Sequence, residues 1–267
     1  MKGLEREQYL GNTKRIFNNS DGVSIIETEY KNTVFEGWHS HENAHITLFL
    51  RGGTLEKRKK EYNVIQPGSL LFYRSDELHL NYETKFPSYN INIEIEESII
   101  KNFNFTEDMF EKAILNDEKV KFIILKMFKE SLIGDSFSTD SINMLYAQLA
   151  SNVDKYERFT NAPQWVSYLF QLLNDCWLEN LSLEQLSKIL NLNPITISKH
   201  FPRYFGCTLG EYMRRQKVQK SLVLIQQSKV PLTEIGFECG FSDQSHFIRV
   251  FKEQTGFLPK QYQKLII

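Results

Sequence analysis

Cysteine is scarce in this chain: three among 267 residues. Cys176, Cys207 and Cys239 are odd in number, widely spaced and set among apolar neighbours. That excludes a disulfide framework or zinc finger and leaves reduced, mostly buried thiols. No apolar run approaches the ~20 residues of a membrane-spanning helix, so no membrane partner is expected. Met1-Lys2-Gly3-Leu4-Glu5-Arg6-Glu7 lacks the apolar stretch of a signal peptide, so the expected compartment is the cytoplasm. There is no low-complexity segment. With 41% hydrophobic residues the chain can bury a sizeable core, which argues against disorder. Neither sign of charge dominates, the net being −1. The distribution is uneven, however: residues 161–267 carry 12 Lys/Arg against 8 Asp/Glu, and residues 1–160 carry 20 against 25. A mildly basic C-terminal part joined to an acidic N-terminal part fits a module for a polyanion attached to something else.

What is present divides by period. Residues 1–22 are polar and read as an arm or first strand. From about 23 to 96 the pattern is that of strands: Val23–Thr28, Ile46–Leu50 ended by Arg51-Gly52-Gly53, Ser69–Tyr73 after the turn Pro67-Gly68, and Tyr89–Glu96, where Ile91, Ile93 and Ile95 share a face. Short strands between Gly, Pro and charged turns predict a sandwich or small barrel. Near residue 97 the period becomes helical. Segments 107–116, 118–133 and 138–153 read as helices, with Phe122, Leu125, Met127, Phe128 and Leu132 forming an apolar stripe. This region is either a connector with a homodimer surface or internal packing against the barrel. Thr160-Asn161-Ala162-Pro163 reads as a boundary, followed by short helices.

Gly240-Phe241-Ser242-Asp243 and the run Gln244–Lys252 read as the turn and second helix of a helix-turn-helix. Gly240 supplies the positive φ of a tight turn, Ser242 is the expected N-cap, and Asp243 suits the positive helix end. Phe247 and Phe251 give one buried face. Val230–Phe237 would be the first helix, with Pro231 at N1, and Gly236 permits close helix approach. A second such unit precedes it: Ser182 and Gln185 form a capping box, Leu183, Leu186 and Leu190 face inward, and Asn191-Leu192-Asn193 makes the turn. A helix from Pro194 then buries Ile197, Phe201 and Phe205. Between the units a helix over about 209–227 carries Arg214, Arg215, Lys217 and Lys220. Two such helices could enter successive major grooves of double-stranded DNA.

This C-terminal part resembles the AraC/XylS transcription regulators over roughly 165–262. The resemblance rests on Leu183-Glu184-Gln185-Leu186, Ile197-Ser198-Lys199-His200-Phe201, Phe205-Gly206, Tyr212, Ile235 through Phe247, Phe251-Lys252, Thr255-Gly256, Pro259 and Tyr262. It implies a fold of about seven helices that contacts DNA through both units. By matching positions the base readers would be Ile195, Ser198 and Lys199 in the first unit and Gln244, Ser245, His246 and Arg249 in the second. The plainer reading makes some of them phosphate contacts or helix caps. Pro202 departs from the pattern; a mid-helix proline removes a donor, so a helix regular only over 194–201 is expected, and a contact from Arg203 is put in doubt.

Four of the six histidines, His39, His41, His45 and His79, lie in the strand-rich half. Gly37-Trp38-His39-Ser40-His41, Gly52-Gly53, Pro67-Gly68 and His79 resemble a cupin barrel over roughly 30–96, with His45 where metal cupins usually carry Glu. Neutral imidazoles of this set suit one divalent metal, Zn, Ni, Cu or Fe. Alternatively they line a metal-free pocket for a small effector, to which Trp38, Phe49 and Tyr73 would contribute. The expected fold is thus an α+β chain of several domains: a cupin-like sensory β-barrel over 1–100, a helical connector over 101–160, and an all-α double helix-turn-helix over 161–267 with units at about 182–204 and 231–254. The expected function is a DNA-binding regulator whose occupancy of an operator responds to a small molecule or metal. The alternative is a metal-dependent cupin enzyme, an oxygenase or isomerase, fused to a DNA-binding domain.

Overall fold

The computed structural model describes residues 1–18, 22–59, 61–102, 106–116, 119–160, 162–179, 181–227 and 230–266; at 99, 101, 102, 113, 115, 116 and 152–160 it describes the backbone alone. The chain divides into two units, Met1–Asn152 with Gln261–Ile267, and Val153–Lys260. Among the described residues no helix is long and apolar enough to cross a membrane.

In the first unit, strands β1 (Lys2–Leu4), β2 (Asn12–Asn18), β3 (Val23–Tyr30), β4 (His39–His41), β5 (Ala44–Lys57), β6 (Tyr62–Ile65), β7 (Leu70–Tyr73) and β8 (Leu80–Ile95) form two sheets. One is antiparallel, in the order β2-β3-β8-β5-β6, with β7 also on β5; the other pairs β1 with β4 in parallel. The polar stretch at the N-terminus is therefore two strands. The alternation of β8 works in both directions. Ile91, Ile93 and Ile95 continue across the sheet through Ile25, Ile46 and Phe72. Phe72 meets Phe110 of α2 (Glu107–Asn116) at 6.1 Å between ring centroids. The opposite face presents Asn90 and Asn92 with Thr47 and Phe49, and these line a cavity. The sheet thus gives its apolar face to helices and turns its polar face inward.

Strand β5 does not end at Arg51-Gly52-Gly53, as the sequence pattern suggests; it runs through to Lys57 with register shifts between Phe49 and Leu55. Gly52 and Gly53 have φ of 86° and 135°, and a Cβ on Gly52 would stand 2.6 Å from the Ser88 Cβ. Here the glycines make bulges, not a turn. The irregularity changes the inward parity: His45, Thr47 and Phe49 face the cavity before it, and Thr54 faces it afterwards. Strand β8 makes a matching change, with Asn81 and Thr84 both on the wall and Glu83 between them at φ 52°.

Helices α1 (Glu97–Asn102), α2, α3 (Lys119–Ile133) and α4 (Ser138–Thr160) follow. Phe122, Leu125, Met127 and Phe128 of α3 are buried and Leu132 is half-buried. Helix α4 runs further than the expected end at 153. Of the proposed boundary, Asn161 lies outside the described residues.

The second unit contains α5 (Gln164–Asp175), α6 (Leu183–Leu190), α7 (Pro194–Phe205), α8 (Leu209–Gln227), α9 (Leu232–Glu238) and α10 (Gln244–Thr255); α11 (Pro259–Ile266) ends the chain's helices. Val166, Leu169, Leu173, Leu186, Ile197 and Phe201 belong to its core. Contrary to the expectation of a helix regular only to 201, α7 continues through Pro202 to Phe205. The proline sits on the exposed side, while Phe201 and Phe205 stack at 4.1 Å and 14°. Their burial offsets the mid-helix proline, whose lost backbone bond and ring clash together cost about 3 kcal/mol.

Candidate nucleic-acid interface and ligand cavity

The two helix-turn-helix units are built alike. In the first, Ser182 accepts from the Gln185 amide at 3.2 Å while its own N–H donates to Gln185 Oε1 at 2.8 Å. Asn191 takes the left-handed conformation at φ 51°. The Leu192 N–H donates to the Ser187 carbonyl at 3.1 Å. Asn193 then caps α7, accepting from the Ile195 N–H at 2.8 Å. In the second, Gly240 takes φ 75°, and the Phe241 N–H donates to the Gly236 carbonyl at 3.1 Å. A Cβ on Gly236 would stand 3.1 Å from Phe247 Cδ1, so a larger residue there would press the Phe247 ring outward by a few tenths of an ångström where α9 and α10 approach. Pro231 occupies the N-cap of α9 and not N1.

The cap of α10 is Asp243, not Ser242: its carboxylate accepts from the His246 N–H at 2.8 Å. That bond comes first among the causes that hold the Asp243 carboxyl below its usual range. Ser242 instead contacts Asp243 Oδ2 at 3.2 Å and His246 Nδ1 at 3.1 Å. Lys217 does not point outward as Arg214 does on the same helix. It is buried, and its Nζ donates to the Gly240 carbonyl at 2.7 Å. A charge on α8 therefore fastens the turn that aims α10, and burial lowers that lysine's pKa.

The cavity of the first unit is lined by Tyr9, Tyr30, the four histidines and a set of Thr, Ser and Asn residues. His39 and His79 face each other through a backbone bridge, with ring centroids at 4.1 Å. Their Nδ1 atoms lie 3.0 Å from the Gly37 and Glu77 carbonyls, and His45 Nδ1 lies 3.3 Å from the Asn43 carbonyl. A carbonyl only accepts, so each Nδ1 carries the proton and each Nε2 keeps a lone pair. His41 likewise bonds the Gln8 backbone. Burial first, then the neighbouring imidazoles, pushes His39 down to about 4 and His45 to about 3. His41 and His79 are lowered as well, again chiefly by burial. One ring nitrogen from each of His39, His41 and His79 lies within 4.8 Å of the others. His45 stands outside that trio, stacked on Tyr73 at 4.7 Å and 12°. Three buried, neutral imidazoles with their N–H groups spent on the backbone suit a borderline divalent metal.

Behind this wall lies a buried ion pair. Glu56 is fully buried and accepts from Tyr73 OH at 2.5 Å and Arg58 Nε at 2.8 Å. Burial and the Glu56 charge push the Tyr73 phenol well above its usual range.

Residues 186–265 match a helix-turn-helix domain family. The chain is 21% identical over 275 residues to the transcriptional activator RhaR of Enterobacter sp. (strain 638), covering 92% of this chain and 93% of that protein. It is 23% identical over 251 residues to the transcriptional regulator YdeC of Bacillus subtilis (strain 168), covering 85% of this chain and 86% of that one. The ToxT structure from Vibrio cholerae aligns with 14% identity over 92% of this chain and 99% of that chain, at a TM-score of 0.39.

Within the helix-turn-helix region, Ile195, Ser198 and Lys199 are exposed on α7, and Gln244, Ser245 and Arg249 are exposed on α10. His246 is half-buried and tied to the turn. Arg203 is also exposed, with its guanidinium 5.6 Å from the Tyr204 ring. In the barrel, Phe49 and Tyr73 line the cavity and Trp38 does not. Sequence reasoning missed Asn81, Asn90, Asn92, Thr47 and Thr54 on the wall, and Glu56 and Arg58 behind it. The signal for β8 was visible, because Asn90, Asn92 and Glu94 alternate with three isoleucines; it was read for its apolar half alone.

Proposed function

We propose that this chain is a sequence-specific DNA-binding transcription regulator of the cytoplasm, reading a double-stranded operator with α7 and α10. The observation that carries this is the equivalence of the two helices. Each has 12 residues, an Asn or Asp N-cap, a left-handed glycine at its C-terminal end and two buried phenylalanines. Each leaves a long basic side chain six residues after its cap, Lys199 in one and Arg249 in the other. Such side chains reach guanine O6 and N7, and a good contact contributes about 1–3 kcal/mol of discrimination. The relatives are named as regulators, which favours regulation over the metal-dependent enzyme. Footprinting should show protection across about two major grooves. Arg249→Ala and Lys199→Ala should each weaken specific binding by about ten- to a hundredfold. If both variants bind the operator like the parent, the assignment of these faces is wrong.

The barrel is the proposed sensor. A small molecule or divalent metal that binds one arrangement of the chain better would shift operator occupancy by that difference in affinity. His39, His41 and His79 are the residues that would hold a metal, with His45 beside them. The tautomers set by the backbone carbonyls support this reading. Elemental analysis of the purified chain should find one divalent ion, and His41→Ala should lose it; protein from metal-supplemented cells that carries none rules the metal out. The functional division remains a sensor over 1–100, a connector over 101–160 that would offer a homodimer surface, and the DNA-binding part over 161–267.

A further inference from the structure

The cavity wall offers hydrogen-bond acceptors that the protein leaves unused, and no formal charge. Among the described residues its lining includes no Lys, Arg, Asp or Glu. Most of the wall's hydroxyl protons are already spent on the protein. Thr47 donates to Asn92 Oδ1 at 2.8 Å, Thr54 to the Tyr82 carbonyl at 3.0 Å, Ser88 to the Arg51 carbonyl at 2.9 Å and Tyr73 to Glu56 at 2.5 Å. Asn92 Nδ2 donates to Thr28 Oγ1 at 3.1 Å. The histidine Nδ1 protons are spent in the same way. Against this, the side-chain oxygens of Asn81 and Asn90 are buried without a partner, and Asn90 as a whole is only 5% exposed. A buried carbonyl oxygen left unpaired is costly, and a ligand or water that donates to it removes the cost.

We propose that the cavity takes a small uncharged organic molecule that donates hydrogen bonds, through hydroxyl or amide N–H groups, to Asn81 and Asn90. This rests on the reading of the barrel as a sensor. A carboxylate or phosphate would bring its charge to a wall with no cation to balance it. An ammonium would find acceptors, but no carboxylate on the wall to balance its charge. The rings of Tyr9, Tyr30 and Phe49 on the wall give an apolar body surfaces to pack on, which leaves Asn81 and Asn90 to fix its orientation.

The test is thermal denaturation of the full-length chain against matched trios of similar size: a hexose with its uronate and amino sugar, and an aromatic primary amide with its carboxylate and its amine. Each trio is run with and without a chelator. The neutral member should raise the Tm more than its charged partners, and the responding trio separates hydroxyl from amide donors. Asn90→Leu should weaken that member's binding by about tenfold, the loss expected for one hydrogen bond. Asn90→Asp keeps the shape, adds a charge and should turn the preference toward the amine. The proposal is overturned if a carboxylate stabilises more than its neutral partner with or without chelator, if no neutral member stabilises at all, or if Asn90→Asp leaves the preference unchanged. Operator binding without ligand is measured in parallel, so a failure here is distinguishable from a failure of the regulator reading.

Discussion

The barrel and the helix-turn-helix region use polar side chains in opposite ways. In the barrel they turn inward, and many bond a specific neighbour: Thr47 to Asn92, Tyr73 to Glu56, Arg58 to Glu56. In the helix-turn-helix region Ser198, Lys199, Gln244 and Arg249 stand exposed on a frame held by phenylalanines and caps. A cavity therefore depends on many residues at once, whereas a DNA-facing helix can change one reader without disturbing its frame. Substitutions in the barrel should cost stability, and those on the readers should cost affinity alone.

The strongest test of that contrast is acid. The unfolded chain's histidines take up protons near pH 6.5, whereas native His39 and His45 resist until about 4 and about 3. Native pKa values lie below the unfolded ones, so stability is full above pH 6.5 and is lost as the pH falls through that window. The loss is about 1.4 kcal/mol per histidine for each pH unit. Urea denaturation of the metal-free chain between pH 7 and 4.5 should show the slope, and a flat profile breaks the comparison. Next in size is Glu56→Ala, which takes the acceptor from the Tyr73 hydroxyl and leaves Arg58 paired with Glu77 at 3.1 Å, and should cost about 3 kcal/mol; Gln244→Ala, measured beside it, should stay within about 0.5 kcal/mol of the parent. Lys217→Met tests the one place where the helix-turn-helix region behaves like the barrel. It removes a charge-assisted bond to the Gly240 carbonyl and should cost about 1.5–3 kcal/mol, with the second half of the footprint weakened more than the first. A uniform loss across both halves would mean that Lys217 holds the fold and not the aim of α10. Smallest is Ser182→Ala, which removes half of a capping box and should lower stability by about 1 kcal/mol with operator contacts intact.

The helical half was legible because its signals are local. Ser182 with Gln185, Asn193 before Pro194, and glycines at 206, 240 and 256 each act within a few residues of where they stand. The misreadings there were single-position ones: Asp243 took the cap from Ser242, and buried phenylalanines carried α7 past Pro202. The barrel was legible as strands but not as a site. Trp38 neighbours the histidines in sequence yet lies off the cavity, while Asn81 and Asn90 reach it from one long strand whose bulge no short pattern announces. The four histidines were visible as a group, but only the fold separates the trio of His39, His41 and His79 from His45.

The bulge at Gly52-Gly53 has a consequence for how such a barrel could acquire a new ligand. A strand hides every second residue, so its wall is written in a two-letter frame, and the two glycines shift that frame once along β5. Deleting one of them would bring Leu55 to the inner surface and turn Thr54 and Glu56 to the outside, although each of those residues would still be present. A single-codon loss would thus replace Thr54 by Leu55 and swing Lys57 inward with it, a change at two positions in one step that no single substitution there could make.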